Sequence, residues 1–179
     1  MDSDWPTWAT EEVEVREYQE SWSADGEVER QELERLLAPW LVARVEHVGS
    51  TAIPSLAAKP ILDFQAAVSD LSSAEHLAVV LEPHAWHYVP PETDGGRPWR
   101  RFFVKVAKSR RVAHLHVMNL GSARWNEQIA FRDALCADRG LVDRYAKLKV
   151  DLAVQHRQDR EAYSRGKAAF VYEVINSER

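Results

Sequence analysis

The chain has 179 residues, 45% hydrophobic and 28% charged, a balance that suits one globular domain able to bury most of its apolar surface. Its 23 Lys and Arg stand against 28 Asp and Glu, a formal charge of -5; as a whole such a chain repels nucleic acid and anionic membranes, so any phosphate chemistry needs a local basic site. The single cysteine, Cys136, excludes an internal disulfide framework and a multi-cysteine zinc site and fits a cytoplasmic location. The sequence shows neither an apolar leader nor an uninterrupted apolar run of roughly 18 residues, so it reads as soluble.

Residues 1–12 are polar and mixed and read as a flexible lead-in, ahead of a single domain over 13–179. The segment VEVREYQESW reads as a short strand, followed by a helix from about Asp25 to Pro39 with Val28, Leu33, Leu36, Leu37 and Trp40 on its apolar stripe. Two β-branched runs, LVARVEHV and ILDFQAAV, predict strands of one sheet. Ser69 or Asp70 is placed to cap a helix over Leu71–Leu81 that Pro83 stops. The Pro- and Gly-rich PPETDGGRP reads as a mobile loop in the position of a lid. RRFFVKVA and RVAHLHVM, separated by Lys108, Ser109 and Arg110, predict an antiparallel hairpin. From Ser122, a candidate N-cap, the pattern is helical, with a break at Gly140, a second helix marked by Leu141, Tyr145, Leu148 and Leu152, and a third capped by Asp159 and carrying Tyr163, Phe170, Val171 and Val174. The predicted class is α+β: a mixed β-sheet with flanking helices and a helical C-terminal third.

Between the two β-branched runs lies Gly49-Ser50, with Asp63 thirteen residues after Ser50 on the following strand. Gly49 lets the backbone approach a ligand, and the Ser50 hydroxyl with neighbouring N–H groups can hold phosphate oxygens. A carboxylate on the adjacent strand can hold Mg²⁺ between phosphates. A plain turn has the same spacing.

The block EHVGSTAIPSLAAKPILD resembles the signature of GrpB-like proteins, and FRDAL, the spaced Tyr145 and Lys149, and the Tyr163, Lys167, Phe170 pattern resemble the rest of it, over about residues 13 to 175. The resemblance implies a nucleotidyltransferase-type fold in which a Gly-Ser turn holds nucleotide phosphates and a carboxylate pair on the next strand holds metal. Carried over, Gly49, Ser50 and Thr51 match the phosphate turn, Asp63 the first metal carboxylate, and Lys59 a signature lysine that contacts phosphate or pairs with Asp63. Asp63 and Lys59 are then the catalytic candidates. The second carboxylate falls at Gln65, which shares a strand face with Asp63 but brings no charge. Where a third acid is implied, RVAHLHVM offers His114 and His116.

These departures define a second constellation of His47, Asp63, His114 and His116, a donor set suited to Zn²⁺, Mn²⁺ or Fe²⁺ and to hydrolysis. The residues from Arg97 to Arg111 are basic without an acid, and within them Arg100, Arg101 and Lys105 are placed to meet a triphosphate while Trp99 stacks on a base; a strand edge protected by charge has the same composition. Arg132, Asp133, Lys149 and Lys167 either close the cleft from the helical side or make helix-to-sheet ion pairs, the commoner arrangement. Glu46 is expected to face outward. The leading expectation is a nucleotidyltransferase that binds a nucleoside triphosphate with Mg²⁺ or Mn²⁺ and transfers a nucleotidyl group to a small acceptor. The alternatives are a non-catalytic binder of a nucleotide or small anion, and a histidine/aspartate hydrolase using a transition metal. An exposed hairpin edge would permit a homodimer.

Overall fold

A computed structural model describes Trp8 and residues 11–177; the rest of the expected lead-in lies outside the described residues. Of that lead-in, Trp8 stacks on His87 at 5.9 Å, and Glu12 accepts a hydrogen bond from Arg157 at 2.8 Å, so these positions are docked on the body.

Five strands form one mixed sheet: β1 (Glu46–Val48), β2 (Leu62–Val68), β3 (Trp86–Val89), β4 (Arg101–Ala107) and β5 (Arg110–Asn119), in the spatial order β1-β2-β5-β4-β3. Only the β2–β5 pair is parallel. Helix α1 (Ser21–Leu37) and helix α2 (Ala74–Leu81) precede the hairpin, while α3 (Ala123–Ala137), α4 (Arg139–Gln155), α5 (Arg160–Gly166) and α6 (Ala168–Ser177) fill the C-terminal third. The α+β class with a mixed sheet is therefore as expected. Among the described residues no helix is long and apolar enough to cross a membrane.

Alternation along the strands divides the sheet into two unlike faces. Phe64, Ala66 and Val68 of β2, Phe103 of β4 and Ala113, Leu115 and Val117 of β5 pack against Leu33 and Leu37 of α1 and Leu77 and Leu81 of α2, giving a continuous apolar core. On the other face Ala67 and Met118 pack on Trp125 of α3. The C-terminal helices have a core of their own, into which the loop after β1 inserts Ile53 and Leu56 against Leu135, Tyr145 and Phe170. Between that helical core and the sheet lies the cavity described below.

Local chemistry explains most boundaries. Asp70 accepts from Ser72 N at 2.8 Å at the start of the 71–73 turn that leads into α2, Ser122 caps α3, and Asp159 accepts from Ala162 N at 2.9 Å to cap α5. The two-residue hairpin turn uses Lys108 and Ser109 at φ 49° and 57°, a left-handed pair that matches the strand twist.

Several elements depart from expectation. The 13–22 run makes one bridge, Arg16 to Ala58, and its end already belongs to α1, with Trp22 buried; Val28 on the expected stripe is 70% exposed. Of LVARVEHV only 46–48 is strand, because Val45 N donates to the Glu34 carboxylate of α1 at 3.0 Å instead of to a neighbouring strand. The expected break between two helices is present but falls at Asp138 and not at Gly140: Asp138 is extended and accepts from Gly140 N at 2.7 Å to begin α4. The strand β3 is too short, at 4 residues, to announce itself by periodicity. Since β3 pairs with β4 and β2 with β5, the hairpin is interior, so the exposed edge on which a homodimer was expected is absent there.

Candidate functional site

The cavity has a volume of about 640 Å³ and is walled by β2, β5, the loop after β1, the 90–98 loop and α5. Its floor follows from register. Asp63 of β2 lies beside His114 of β5 and Gln65 beside His116, and alternation puts all four on the face away from α1 and α2. His114 Nδ1 donates to Asp63 Oδ1 at 2.9 Å, and His116 Nε2 is 4.0 Å from the same oxygen. Burial alone would raise the Asp63 carboxyl, but the His114 hydrogen bond and the charges around it hold it well below the usual carboxylate range. Burial lowers both imidazoles, most strongly His116, which also faces the Arg100 guanidinium. The floor thus sets a carboxylate that favours its charged form beside two imidazoles whose charged form burial disfavours.

Gly49 is required here. Its φ is +69°, and a Cβ at this position would lie 2.6 Å from Asp63 Oδ2, so the turn carrying Ser50 abuts the carboxylate only because no side chain intervenes. Ser50, Lys59, Asp63, His114 and His116 all line the cavity.

The walls are cationic. Lys59, Arg97, Arg100, Arg111, Arg160 and Lys167 face Asp63, Asp94 and Glu161, six against three. Two of those acids are committed: Asp94 pairs with Arg100 at 2.5 Å, both buried, and Glu161 pairs with Arg97 at 3.1 Å. Among the described residues neither Lys59 nor Lys167 has a carboxylate within ion-pair distance; each amine sits over the Tyr163 ring, 5.2 and 4.6 Å from its centroid. Burial, then the charges of Lys167 and Arg160, lower Lys59 to about 7. Behind them Lys149, 1% exposed, donates to the Ala57 carbonyl in the loop that carries Lys59, and burial followed by the charges of Lys167 and Lys59 brings it to about 6.

Other expected residues lie elsewhere. Arg101 and Lys105 pair with Val117 and Ala113 and so belong to the apolar-core face; Lys105 bonds Glu29 of α1 at 2.7 Å, which removes both from the phosphate set. Arg100, one residue away, is the guanidinium that reaches the cavity. His47 pairs with Phe64 and stacks on it at 5.1 Å, on the α1 side, and its Nε2 bonds Thr51 Oγ1 at 3.1 Å. It therefore leaves the constellation with Asp63, and Thr51, buried and donating to Ile61 O at 3.2 Å, is structural and not a phosphate ligand. Gln65 is fully buried, donates to Trp125 O at 3.3 Å and does not line the cavity, so it adds no ligand beside Asp63. Trp99 packs over Arg100 and Arg124 instead of lining the cavity. Glu46 is not free on the surface: Arg132 binds it at 2.8 Å. Arg132 so makes the expected helix-to-sheet ion pair, whereas Lys149 and Lys167 do not. Arg160 was missed. Its signal is at α5, where Arg160, Tyr163 and, just past the helix end, Lys167 are spaced three and four apart in sequence.

The family described as "GrpB protein" matches residues 12–177. This chain belongs to the GrpB family. It is similar to the crystal structure of conserved protein GrpB from Enterococcus faecalis, with TM-score 0.80 and 30% identity over 92% of this chain and 96% of that one. It is 30% identical over 167 residues to glutamate-rich protein GrpB of Alkalihalophilus pseudofirmus, covering 92% of this chain and 95% of the relative. UPF0157 protein YqkA of Bacillus subtilis is 30% identical over 159 residues, 89% of this chain, but the chain spans only 45% of that relative.

A divalent metal can be tested against these residues. Mg²⁺ prefers carboxylate and other oxygen ligands, and this floor gives it one carboxylate, already bonded to His114, inside a cationic wall; the residues do not fit it. Ligand atoms of Asp63, His114 and His116 lie within 4.8 Å of one another, donor types that suit a transition ion. In the present arrangement Arg100 donates to His116 Nδ1, the opposite of the acceptor that normally orients a ligating imidazole.

Proposed function

We propose that the cavity binds a small phosphorylated molecule, up to the size of a nucleotide, and that the protein acts on it with Lys59 and Asp63. The observation that carries this reading is the excess of six cations over three carboxylates around a partly open cleft of about 640 Å³, a volume typical of small-molecule sites. Such an arrangement is costly for the empty protein, and a polyanion relieves it. Ser50, Arg160 and Lys167 hold phosphate oxygens; Arg97 and Arg100 are within reach once they exchange Glu161 and Asp94 for the ligand. Asp63 is too acidic to accept protons at neutral pH, so it positions His114 and balances charge, while Lys59, near neutrality, is the group able to take or give a proton.

Nucleotidyl transfer to a small acceptor is the more specific form of this reading, supported by the Gly49-Ser50 turn against Asp63 and opposed by the position of Gln65. Isothermal titration with ATP and with pyrophosphate, each with and without Mg²⁺ or Mn²⁺, tests it. Micromolar binding that survives chelation is expected. No heat at millimolar ligand overturns it.

A second reading, a metal-dependent hydrolase on Asp63, His114 and His116, rests on the 4.8 Å cluster. Metal analysis of protein purified without a histidine tag decides it, and a stoichiometric transition ion would favour it over the first.

A further inference from the structure

Lys59 differs from the other cations of the cavity in what surrounds it. Its amine lines the cavity and lies on the Tyr163 ring face. Among the described residues no carboxylate pairs with it, and Lys167 rests on the same ring. The backbone just before it is fixed twice: Ala58 exchanges two hydrogen bonds of 2.8 Å with Arg16, and Lys149 holds the Ala57 carbonyl. A phosphate-binding ammonium needs its charge; burial and neighbouring cations instead favour the neutral amine here, at about 7. A desolvated amine beside another cation is the environment that makes a lysine nucleophilic toward carbonyl carbon. Arg97, Arg100, Arg160 and Lys167 also line the cavity, the first three paired with Glu161, Asp94 and Glu11, so a phosphate has other cations to meet.

We propose that Lys59 is an imine-forming nucleophile and that the ligand class is a phosphorylated aldehyde or ketone, its phosphate held by Arg160 of α5 with Arg97 and Arg100, and its carbonyl presented to the Lys59 amine. This rests on the phosphate-binding reading above. The neutral Nζ adds its lone pair to the carbonyl carbon, forming C–N as the C=O π pair moves to oxygen, which takes a proton from the Lys167 ammonium. The nitrogen of the resulting carbinolamine returns a proton to Lys167. The hydroxyl then leaves as water, taking that proton again as the nitrogen lone pair forms C=N. The nitrogen keeps its one hydrogen, so the product of this step is already the iminium, and a proton from solvent restores the Lys167 ammonium. Overall, carbonyl and lysine ammonium yield iminium and one water, with no oxidant or reductant.

The test uses pyridoxal 5'-phosphate and unphosphorylated pyridoxal as probes at neutral pH, followed by borohydride reduction and peptide mass mapping, with pyrophosphate titration run in parallel. One reduced adduct per chain at Lys59 is expected, formed about tenfold or more faster with the phosphate than without, as a charged cleft concentrates its counter-ion, and suppressed by pyrophosphate. Lys59→Arg should lose the adduct, and Lys147→Arg, at an exposed position of α4, should retain it. If Lys59→Arg does not fold, the mapped site in the unaltered protein decides. Adducts spread over surface lysines, or centred on Lys167, overturn the proposal while pyrophosphate binding persists. Equal rates for the two probes overturn the phosphorylated class, and absence of pyrophosphate binding removes the phosphate reading together with it.

Discussion

The two faces of the sheet are made by the same strands and obey different rules. Toward α1 and α2, β2 and β5 present Phe64, Ala66, Leu115 and Val117, all fully buried among apolar neighbours. Toward the C-terminal helices the same strands present Asp63, Gln65, His114 and His116. The first face follows from burial alone and stabilises the fold; the second holds charges that burial disfavours, and it persists because the first supplies the stability. Stability and the proposed binding chemistry are therefore separable by face.

Leu115→Ala attacks the stabilising face and should cost about 3 kcal/mol in urea unfolding, with pyrophosphate affinity unchanged in the variant that still folds. Gly49→Ala places a Cβ at a φ of +69° and 2.6 Å from Asp63 Oδ2; a loss on the order of 2 kcal/mol is expected from strain, this time with loss of binding in the same titration. Lys167→Met should act with the opposite sign, raising the melting temperature of the ligand-free protein by removing a cation from a cationic cluster, while abolishing pyrophosphate binding. A Lys167→Met protein that is destabilised would break the separation of the faces.

The pH dependence sharpens it further. In the folded protein Lys59 is held at about 7 and Lys149 at about 6, each against an ordinary 10.5. Between those values the unfolded chain binds more protons, so stability of the ligand-free protein should rise with pH from about 6 toward 10. His114 and His116, lowered from 6.5, extend the same slope on the acid side, since below 6.5 the unfolded chain gains protons that the folded one refuses. A polyanion favours the protonated lysines, so melting curves recorded with saturating pyrophosphate should flatten this rise. A stability maximum below pH 6 would contradict it. The smallest effect is expected from Lys105→Ala: its Glu29 pair is partly exposed, so less than about 1 kcal/mol is lost, and because the residue is on the apolar-core face, pyrophosphate titration should be unaltered.

Much of the frame was readable because its signals are local. Asp70, Ser122 and Asp159 cap the turns and helices they were expected to cap, and β2, β4 and β5 follow their β-branched runs. Alternation also showed that Asp63 and Gln65, or His114 and His116, share a face. It does not say which side of the sheet that face meets, nor what covers it. Arg101 and Lys105 were assigned to phosphate because they are basic and flank the lid, yet Lys105 finds Glu29, separated by 76 positions in the chain. His47 stands two residues before Gly49, but its pairing with Phe64 puts it against α1, a consequence of β1–β2 register that spacing does not encode. Gln65 has the right parity, and the Trp125 carbonyl, 60 residues on, takes it out of reach. The cationic wall was half visible: Lys149 and Lys167 were noticed, but their reading as ion-pair formers presumed carboxylates that the fold does not bring.

The Lys149 bond to Ala57 spans 92 residues and closes the cavity from behind. A ribosome that has released only the sheet has therefore made the aspartate and both imidazoles but not the wall that Arg160 and Tyr163 of α5 supply; the cavity is complete only when the last helices emerge and settle.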